Sequence, residues 1–444
     1  MRRVKGFFLR KAKLVAALAA ISLLVPANLT LAQKVTIRLW HAMGPQGPVV
    51  EELAKAYSFQ HPEIKVIAEF KGSYDETFLK TITAAKAGNP PHVVQVVVSS
   101  TRAAIDSNLF VPIEDVFDQY GISVNWEDFI DAPMNMYRIG GRLYSIPWNS
   151  SSPITFWNKS IFDKAGLSLS KKPYFSEVTE AARKIVGAGL TKSGITWALV
   201  KFFFENWMSN MDQNLVDAEN GRIGRPAKAY FLSDAATRSY GWFKQLWDEG
   251  FYESPGRRAW GEAKRLFGAQ VVPMALHSTA GTIAYEQTAV GKFEVSSSYL
   301  PVPDGTERQG VMVGGASLWM TKGHPDAEME TAARLAVWMT DMAQTIRWHQ
   351  STGYYPIKRD AMKILEREGW YVEHPNHRTA LEQLMETKPS RATQGAVVGA
   401  YREIHDIIIW VYEAIMEGTS VEEALAEADK RAKDAITEYR RSVE

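Results

Sequence analysis

Apolar and polar residues alternate over residues 34–39, the period-two pattern of a strand. Over 45–61 the apolar positions Val49, Leu53, Ala56 and Tyr57 recur on one helical face. Residues 65–70 alternate again, and 74–86 return to helical spacing, closed by Gly88 and Asn89-Pro90-Pro91. Residues 93–98 are nearly continuous valine, as expected of a strand covered on both faces. This strand-helix-strand-helix-strand order predicts an α/β unit. Ligands of such sheets sit beyond the carboxyl ends of the strands, here Trp40-His41, Gly72-Ser73-Tyr74 and Ser99-Ser100-Thr101. Trp40 fits a core position equally well.

The stretch 140–167 reads as a crossing between two lobes. Gly140-Gly141 is a turn signal, 143–148 is a short apolar run, 149–153 is polar and extended, and 154–157 has strand character. Pro153 holds Ser152 away from helical geometry. Asn149, Ser150, Ser151 and Ser152, flanked by Trp148 and Trp157, suit a polyhydroxylated ligand, with amide and hydroxyls for hydrogen bonds and indoles for apolar faces. A serine-rich segment between strands is also commonly just a loop.

Beyond the crossing, 175–188 and 236–249 have helical spacing, 202–207 is strongly aromatic, and 267–276 leads through a strand to His277-Ser278-Thr279-Ala280-Gly281. Residues 299–303 and 311–320 are strand candidates, the second interrupted by Gly314-Gly315, a mark of close backbone approach. Helices are predicted over 325–341, 362–369, 398–418 and 421–444, with a turn at 353–356.

Composition narrows the class. The 444 residues are 46% hydrophobic and 23% charged, enough for more than one core. Arg2, Arg3, Lys5, Arg10, Lys11 and Lys13 precede an apolar run over 14–25 and a small-residue site at Thr30-Leu31-Ala32, an export signal over residues 1–32 cleaved near Ala32. That run is shorter than the ~20 residues a spanning helix needs. Six of the 51 Lys and Arg lie in the signal, leaving 45 against 50 Asp and Glu, a mildly acidic product that disfavours nucleic acid as a partner. There is no cysteine, which excludes disulfides and a lipid-modified cysteine, so the expected product is free in the periplasm.

No catalytic signature is present: no His-Glu-x-x-His, no Gly-x-Ser-x-Gly, no phosphate-binding glycine loop and no dinucleotide fingerprint. The nine histidines show no metal spacing, and His374 and His377, which straddle Pro375, read as solvated loop. No cofactor and no metal are expected. The 14 Trp and 17 Tyr stand out, several beside small polar residues in loop-like contexts such as Gly353-Tyr354-Tyr355. Such pairs suit carbohydrate-like ligands, although most large aromatics fill cores.

Leu39-Trp40-His41 with Lys71-Gly72-Ser73-Tyr74, Gly88-Asn89-x-Pro91, Pro147-x-Asn149-Ser150-Ser151-x-Pro153, Asn158-Lys159 with Phe162-x-Lys164-Ala165-Gly166-Leu167, Gly314-Gly315-Ala316-Ser317-Leu318-Trp319, and Trp348-His349-Gln350-x-Thr352-Gly353-Tyr354-x-Pro356-Ile357 run in order along nearly the whole chain. In these motifs the sequence resembles the extracellular solute-binding proteins of carbohydrate-type ABC importers, and within them the binders of glycerol phosphate. The resemblance implies an α/β periplasmic-binding-protein fold with two lobes joined by hinge strands and a ligand cleft between them. Residues 33–150 and about 309–355 would form the N-terminal lobe, and 151–308 and about 356–444 the C-terminal lobe. Ligand contacts are expected from Trp40, Tyr74, Asn149, Ser151, Ser152, Trp207, Ser278, Thr279, Gly314, Gly315, Tyr354 and Arg391. Two departures bear on the ligand: Val98 stands where the glycerol-phosphate binders have an acidic residue, and Val397, in Gln394-Gly395-Ala396-Val397, where they have the arginine expected to hold phosphate. Arg391 or Lys201 could supply the cation instead. Trp197 or Trp207 would be the tryptophan that walls the cleft from the second lobe.

The expected function is a monomeric periplasmic receptor that delivers a glycerol phosphate, a glycerophosphodiester, or a sugar or oligosaccharide to an inner-membrane ABC permease without covalent chemistry. The alternative is an exported glycoside hydrolase with paired carboxylates about 5–9.5 Å apart.

Overall fold

The computed structural model describes residues 35–443, so the signal over 1–32 and its cleavage near Ala32 lie outside the described residues. The chain begins with β1 (Val35–His41), α1 (Gly47–Gln60), β2 (Ile64–Phe70), α2 (Tyr74–Lys86) and β3 (Val93–Val97), with β1 parallel to both β2 and β3. A short helix α3 (Asp131–Tyr137) precedes β4 (Ile146–Ser151). The next strand, β5 (Pro153–Asn158), starts after a single residue, Ser152, and belongs to a different sheet.

That second sheet is built around β5, with β6 (Met274–Ser278) and β7 (Val295–Tyr299) antiparallel on either side and the two-residue strand Ile195–Thr196 at its edge. Helix α4 (Phe175–Gly187) and the aromatic helix α5 (Lys201–Asn210) intervene between β5 and β6. The chain returns to the first sheet as β8 (Gly314–Thr321), antiparallel to β3 on one side and, on the other, to β4 at its start and to Phe110–Val111 at its end. After α6 (Met342–Thr352), the helices α7 (Tyr401–Met416) and α8 (Val421–Val443) pack into the aromatic core of the second sheet. The result is a two-lobed α/β fold, one lobe around each sheet. Among the described residues the chain passes from one sheet to the other at Ser152 and again between β7 and β8.

Four details differ from the sequence reading. The strand near 299 ends at Tyr299 rather than starting there, because Pro301 and Pro303 have no amide hydrogen to continue a ladder. The valine run yields strand only to Val97, and Val98 opens a short 3-10 turn. His374 and His377 do not lie in a solvated loop. Pro375 opens the helix Pro375–Met385, a favoured first position for proline, and His377 is buried on it. Met342–Thr352 is a helix of its own, started by Asp341, whose carboxylate accepts from Gln344 N at 3.0 Å, and ended by Gly353 at φ 80°.

Candidate ligand-binding site

The residues at the carboxyl ends of the first sheet meet the Asn149–Ser152 crossing. Tyr74 opens α2, whose N-terminus is fixed by a reciprocal pair: Ser73 N donates to Glu76 Oε2 at 2.7 Å and Glu76 N donates to Ser73 Oγ at 3.3 Å. Gly72, at φ 99°, leaves the Glu76 carboxylate its space. Thus capped, α2 holds Tyr74 against β4, where Asn149 Nδ2 donates to Tyr74 Oη at 2.9 Å. Asn149 Oδ1 in turn accepts from Gln95 Nε2 at 2.8 Å, and Gln95 Oε1 accepts from Ala42 N at 2.7 Å. A chain of oriented amides thereby runs from the end of β1 to the Tyr74 hydroxyl, each partner fixing the rotamer of the next.

Tyr354 completes this cluster. Its hydroxyl interacts with Tyr74 and Asn149. Its ring lies 5.8 Å from Trp348, which stacks at 4.6 Å on Trp148. Burial first, then the neighbouring Tyr354, pushes the Tyr74 phenol well above its ordinary range, so both phenols stay protonated at neutral pH. His349 Nδ1 bonds the Tyr354 carbonyl at 2.7 Å and anchors the turn from below.

The pairing of β4 with β8 sets Ser151 opposite Gly314, Ser150 opposite Gly315 and Asn149 opposite Ala316. Gly315 has φ 95°, and a Cβ there would run into the Asn149 carbonyl oxygen. At Gly314 a Cβ would meet the ring of Phe202 at 2.5 Å, and Phe202 comes from α5 in the second lobe. Phe202 continues into Trp260 (6.3 Å), which meets His277 edge-on at 4.8 Å. The second-lobe wall is therefore aromatic, and burial pulls the His277 pKa down to about 4, leaving it neutral. Ser150 Oγ is buried with no hydrogen-bond partner.

Ser152 and Thr279 form a joint between the two sheets beside this cluster. Ser152 N donates to Thr279 Oγ1 at 3.3 Å, Thr279 N donates to Ser152 O at 2.9 Å, and Ser152 Oγ is bonded to Tyr355 Oη and to Gln383 Nε2. Gly353 passes so close to the Thr279 carbonyl that a side chain would crowd it. The Ser152 hydroxyl is thus committed to the joint. Ser278 is half-buried and its Oγ accepts from Ala280 N at 3.2 Å, opening a short turn.

The structure brings together Tyr74, Asn149, Ser151, Gly314, Gly315 and Tyr354 on one side and sets Ser152, Ser278 and Thr279 at the joint. Three other candidates lie elsewhere. Trp40 donates from Nε1 to Glu69 Oε2 at 2.7 Å under the Lys71 ammonium, 4.3 Å from the ring, at the end of β1. Trp207 is fully buried: its Nε1 donates to Pro301 O at 3.0 Å, and it packs edge-on to Trp197 and Trp242. It belongs to the second lobe's core because the buried face of α5 carries it inward, and Trp197 is buried with it. Arg391 is at the surface, paired with Glu219 at 2.7 Å, and Lys201 is held by Glu205 at 2.7 Å. Sequence reasoning missed Gln95 and Gln383, which sit in an apolar run and a helix with no local signal, and named Tyr355 only as part of Gly353-Tyr354-Tyr355, without a role at the joint. It also missed Phe202, although the aromatic run 202–207 was a visible cue.

Among the described residues one group has metal-ligand chemistry, His92, His324 and Glu328. Arg38 N donates to His92 Nδ1 at 3.0 Å, which leaves the ring proton on Nε2, where Glu328 accepts it at 2.9 Å. A metal on Nε2 would drive that proton onto an Nδ1 already facing an N–H, so the group is a hydrogen-bonded cluster.

Comparison with known proteins gives a consistent picture. The family model described as bacterial extracellular solute-binding protein matches residues 43–346. The sn-glycerol-3-phosphate-binding periplasmic protein UgpB of Agrobacterium fabrum is 30% identical over 420 residues, covering 94% of each chain. That of Rhizobium meliloti is 29% identical over 411 residues, 90% of this chain and 93% of the relative. Among solved structures, UgpB from Mycobacterium tuberculosis in complex with glycerophosphocholine superposes with a TM-score of 0.76 at 20% identity, covering 91% of this chain and 98% of that one. The sugar-binding protein MalE from Xanthomonas citri gives 0.74 at 20% identity over the same shares.

Proposed function

The chain belongs to the bacterial extracellular solute-binding protein family, and from that premise we propose that it is the periplasmic receptor of an ABC importer, closing its two lobes on a small polar ligand of the glycerol-phosphate or sugar class. The observation that carries the reading is the polar cluster where the two lobes meet: Tyr74, Asn149 and Tyr354 join on one lobe beside the Gly314-Gly315 backbone, and Phe202 of the other lobe packs against Gly314. Amide and phenol groups there are oriented by bonds among themselves, and an aromatic wall covers the opposite side. Closure removes water, so each hydrogen bond to the ligand acts at low dielectric and favours the closed form.

In this reading residues 33–150 with about 309–355 move as one body and 151–308 with about 356–444 as the other. Ser152 and the segments before Gly314 and after Thr352 act as hinges. The relatives are binding proteins rather than enzymes, and the ligand leaves unchanged, passed by a monomer to an inner-membrane permease. The signal over 1–32 would be removed on export, with no lipid-anchored cysteine.

Calorimetry and small-angle scattering with sn-glycerol-3-phosphate, glycerophosphocholine, glycerol, maltose and other sugars test the reading. Binding of at least one, with a smaller radius of gyration and the compound recovered intact, is expected. Conversion of a glycoside to product would overturn it.

A further inference from the structure

Strand β4 presents Asn149 and Ser151, two residues apart, on one face, and its antiparallel pairing with β8 sets Ala316 and Gly314 opposite them on that same face. A side chain at Gly314 would therefore point the way the Asn149 and Ser151 side chains point, and it would meet the ring of Phe202. The register thus places Phe202 at the Ser151 end of a short polar strip. Phenols occupy the other end, where Asn149 Nδ2 donates to Tyr74 Oη at 2.9 Å and the Tyr354 hydroxyl joins them. From Asn149 to Ser151 the strip runs two strand positions, about 7 Å, the span of one sugar ring or one glycerol unit.

Phe202 is braced from behind. Its ring packs on Trp260 at 6.3 Å, and Trp260 is itself held by Phe203 at 5.7 Å and by His277 edge-on at 4.8 Å. The first turn of α5, which carries Phe202, is tied to α7 by a buried charged group. Lys201 Nζ donates to Glu205 Oε2 at 2.7 Å and to Tyr401 Oη at 3.3 Å, and Tyr401 donates to the other oxygen of Glu205. Within the turn, Asn206 Nδ2 donates to Phe202 O at 2.9 Å. Separating a buried ion pair strands a charge away from water, so the start of α5 does not swing aside to admit a longer molecule.

We infer that Phe202 sets the length of ligand this receptor accepts: its ring is an apolar stop at the Ser151 end of the strip, so the closed form takes a single polyhydroxylated unit and rejects a molecule that continues past Ser151. A second unit would bring hydroxyls against a ring that offers them no hydrogen bond, and a ring already packed on the Gly314 backbone has no space to yield. Rejection by bulk acts only when the lobes are together, so it reads out as lost affinity for the longer member of a ligand series. The inference rests on the receptor reading above and narrows its ligand by size, not by charge.

Titration calorimetry on the full chain tests it with two series of increasing length: glucose, maltose and maltotriose, and sn-glycerol-3-phosphate and glycerophosphocholine. Within whichever series binds, the wild type is expected to hold the shortest member at least about 10-fold more tightly than the longer ones. Phe202→Ala removes the stop and should raise the long-to-short affinity ratio at least about 10-fold, with Phe202→Leu in between. A Phe202→Ala chain that weakens short and long members by the same factor overturns the inference, because the ring would then act on closure alone. Should Phe202→Ala fail to fold, the wild-type ratio and Phe202→Leu still decide. A wild type that binds maltotriose or glycerophosphocholine as tightly as the short member overturns the inference and leaves the receptor reading standing, whereas a chain that binds none of the five and never compacts overturns both.

Discussion

Asn149 Nδ2 donates to Tyr74 Oη at 2.9 Å, joining the strand that leaves the first sheet to the helix that opens beside it. The bond leaves the phenol proton of Tyr74 directed away from Asn149, toward Tyr354 or a ligand. Tyr74→Phe removes both the acceptor for Asn149 and the outward donor. Stranding the buried Asn149 donor costs about 1–3 kcal/mol of folding stability, so the melting temperature is expected to fall. Loss of the outward donor should weaken the ligand roughly 10-fold, which calorimetry with whichever compound the wild type binds checks.

Adjacent glycines should fail differently. Gly315 needs φ 95° and an empty space beside the Asn149 carbonyl, both internal to the first lobe. Gly315→Ala is expected to cost about 2 kcal/mol or more of folding stability, seen in chemical denaturation. Gly314 is limited by the Phe202 ring from the other lobe. Gly314→Ala should fold with a nearly wild-type melting temperature but close incompletely, giving weaker binding and a larger ligand-saturated radius of gyration. Phe202→Ala in the Gly314→Ala background should restore closure.

Much of this arrangement was legible from residue order. The alternation of strand and helix patterns over 34–98 and the extended Asn149–Pro153 crossing identify a lobed α/β chain before any coordinates, and Tyr74, Asn149 and Tyr354 stand beside small polar residues as ligand groups do. Trp207 and Arg391 were not placed correctly because helical phase and ion pairing depend on partners far along the chain: Pro301 for the indole and Glu219 for the guanidinium. Arg222 carried no local signal at all. It is buried between segments 87 and 173 residues away, donating to the carbonyls of Asn135 and Gly395. Periodicity reveals faces, and a groove between two lobes depends on which faces meet.

His349 and His377 give the protein a defined acid sensitivity. Both are buried, their rings meet edge-on at 5.1 Å, and burial lowers their pKa values to about 4 and about 3. Each pKa is below the ordinary value of about 6.5, so the unfolded chain binds these protons first as pH falls. Stability contributed by the neutral rings is fully present above pH ~6.5 and declines as pH falls toward the folded pKa, by up to about 1.4 kcal/mol per pH unit for each ring. His349 Nε2 has no acceptor to receive an added proton. Denaturation midpoints measured from pH 7 to 4 should fall steeply in the wild type and less steeply in His349→Gln. An unchanged slope would show that the ring is not protonated preferentially in the unfolded state.

Asp106 marks where closure can be loosened without touching the groove. It ends the helix Thr101–Asp106 in the first lobe and is nearly fully buried. Arg102, on the same helix, holds the carboxylate through Nε at 3.0 Å and a terminal nitrogen at 2.7 Å. From the second lobe, Arg225 reaches it at 3.2 Å and Tyr439, on α8, donates to it at 2.9 Å. Asp106→Asn keeps the shape but removes the charge that draws the second lobe inward. Breaking a buried pair from one side costs about 3–5 kcal/mol, and the part of that cost unique to the closed form shifts the equilibrium toward open. The ligand-free radius of gyration should rise and every bound compound should weaken by a similar factor, because the change acts on closure and not on recognition. Tyr439→Phe, which loses one hydrogen bond and no charge, should give the same pattern at smaller amplitude. If Asp106→Asn instead weakened phosphate esters while sparing neutral ligands, the carboxylate would be acting on recognition through the nearby arginines, and closure would have to be controlled elsewhere.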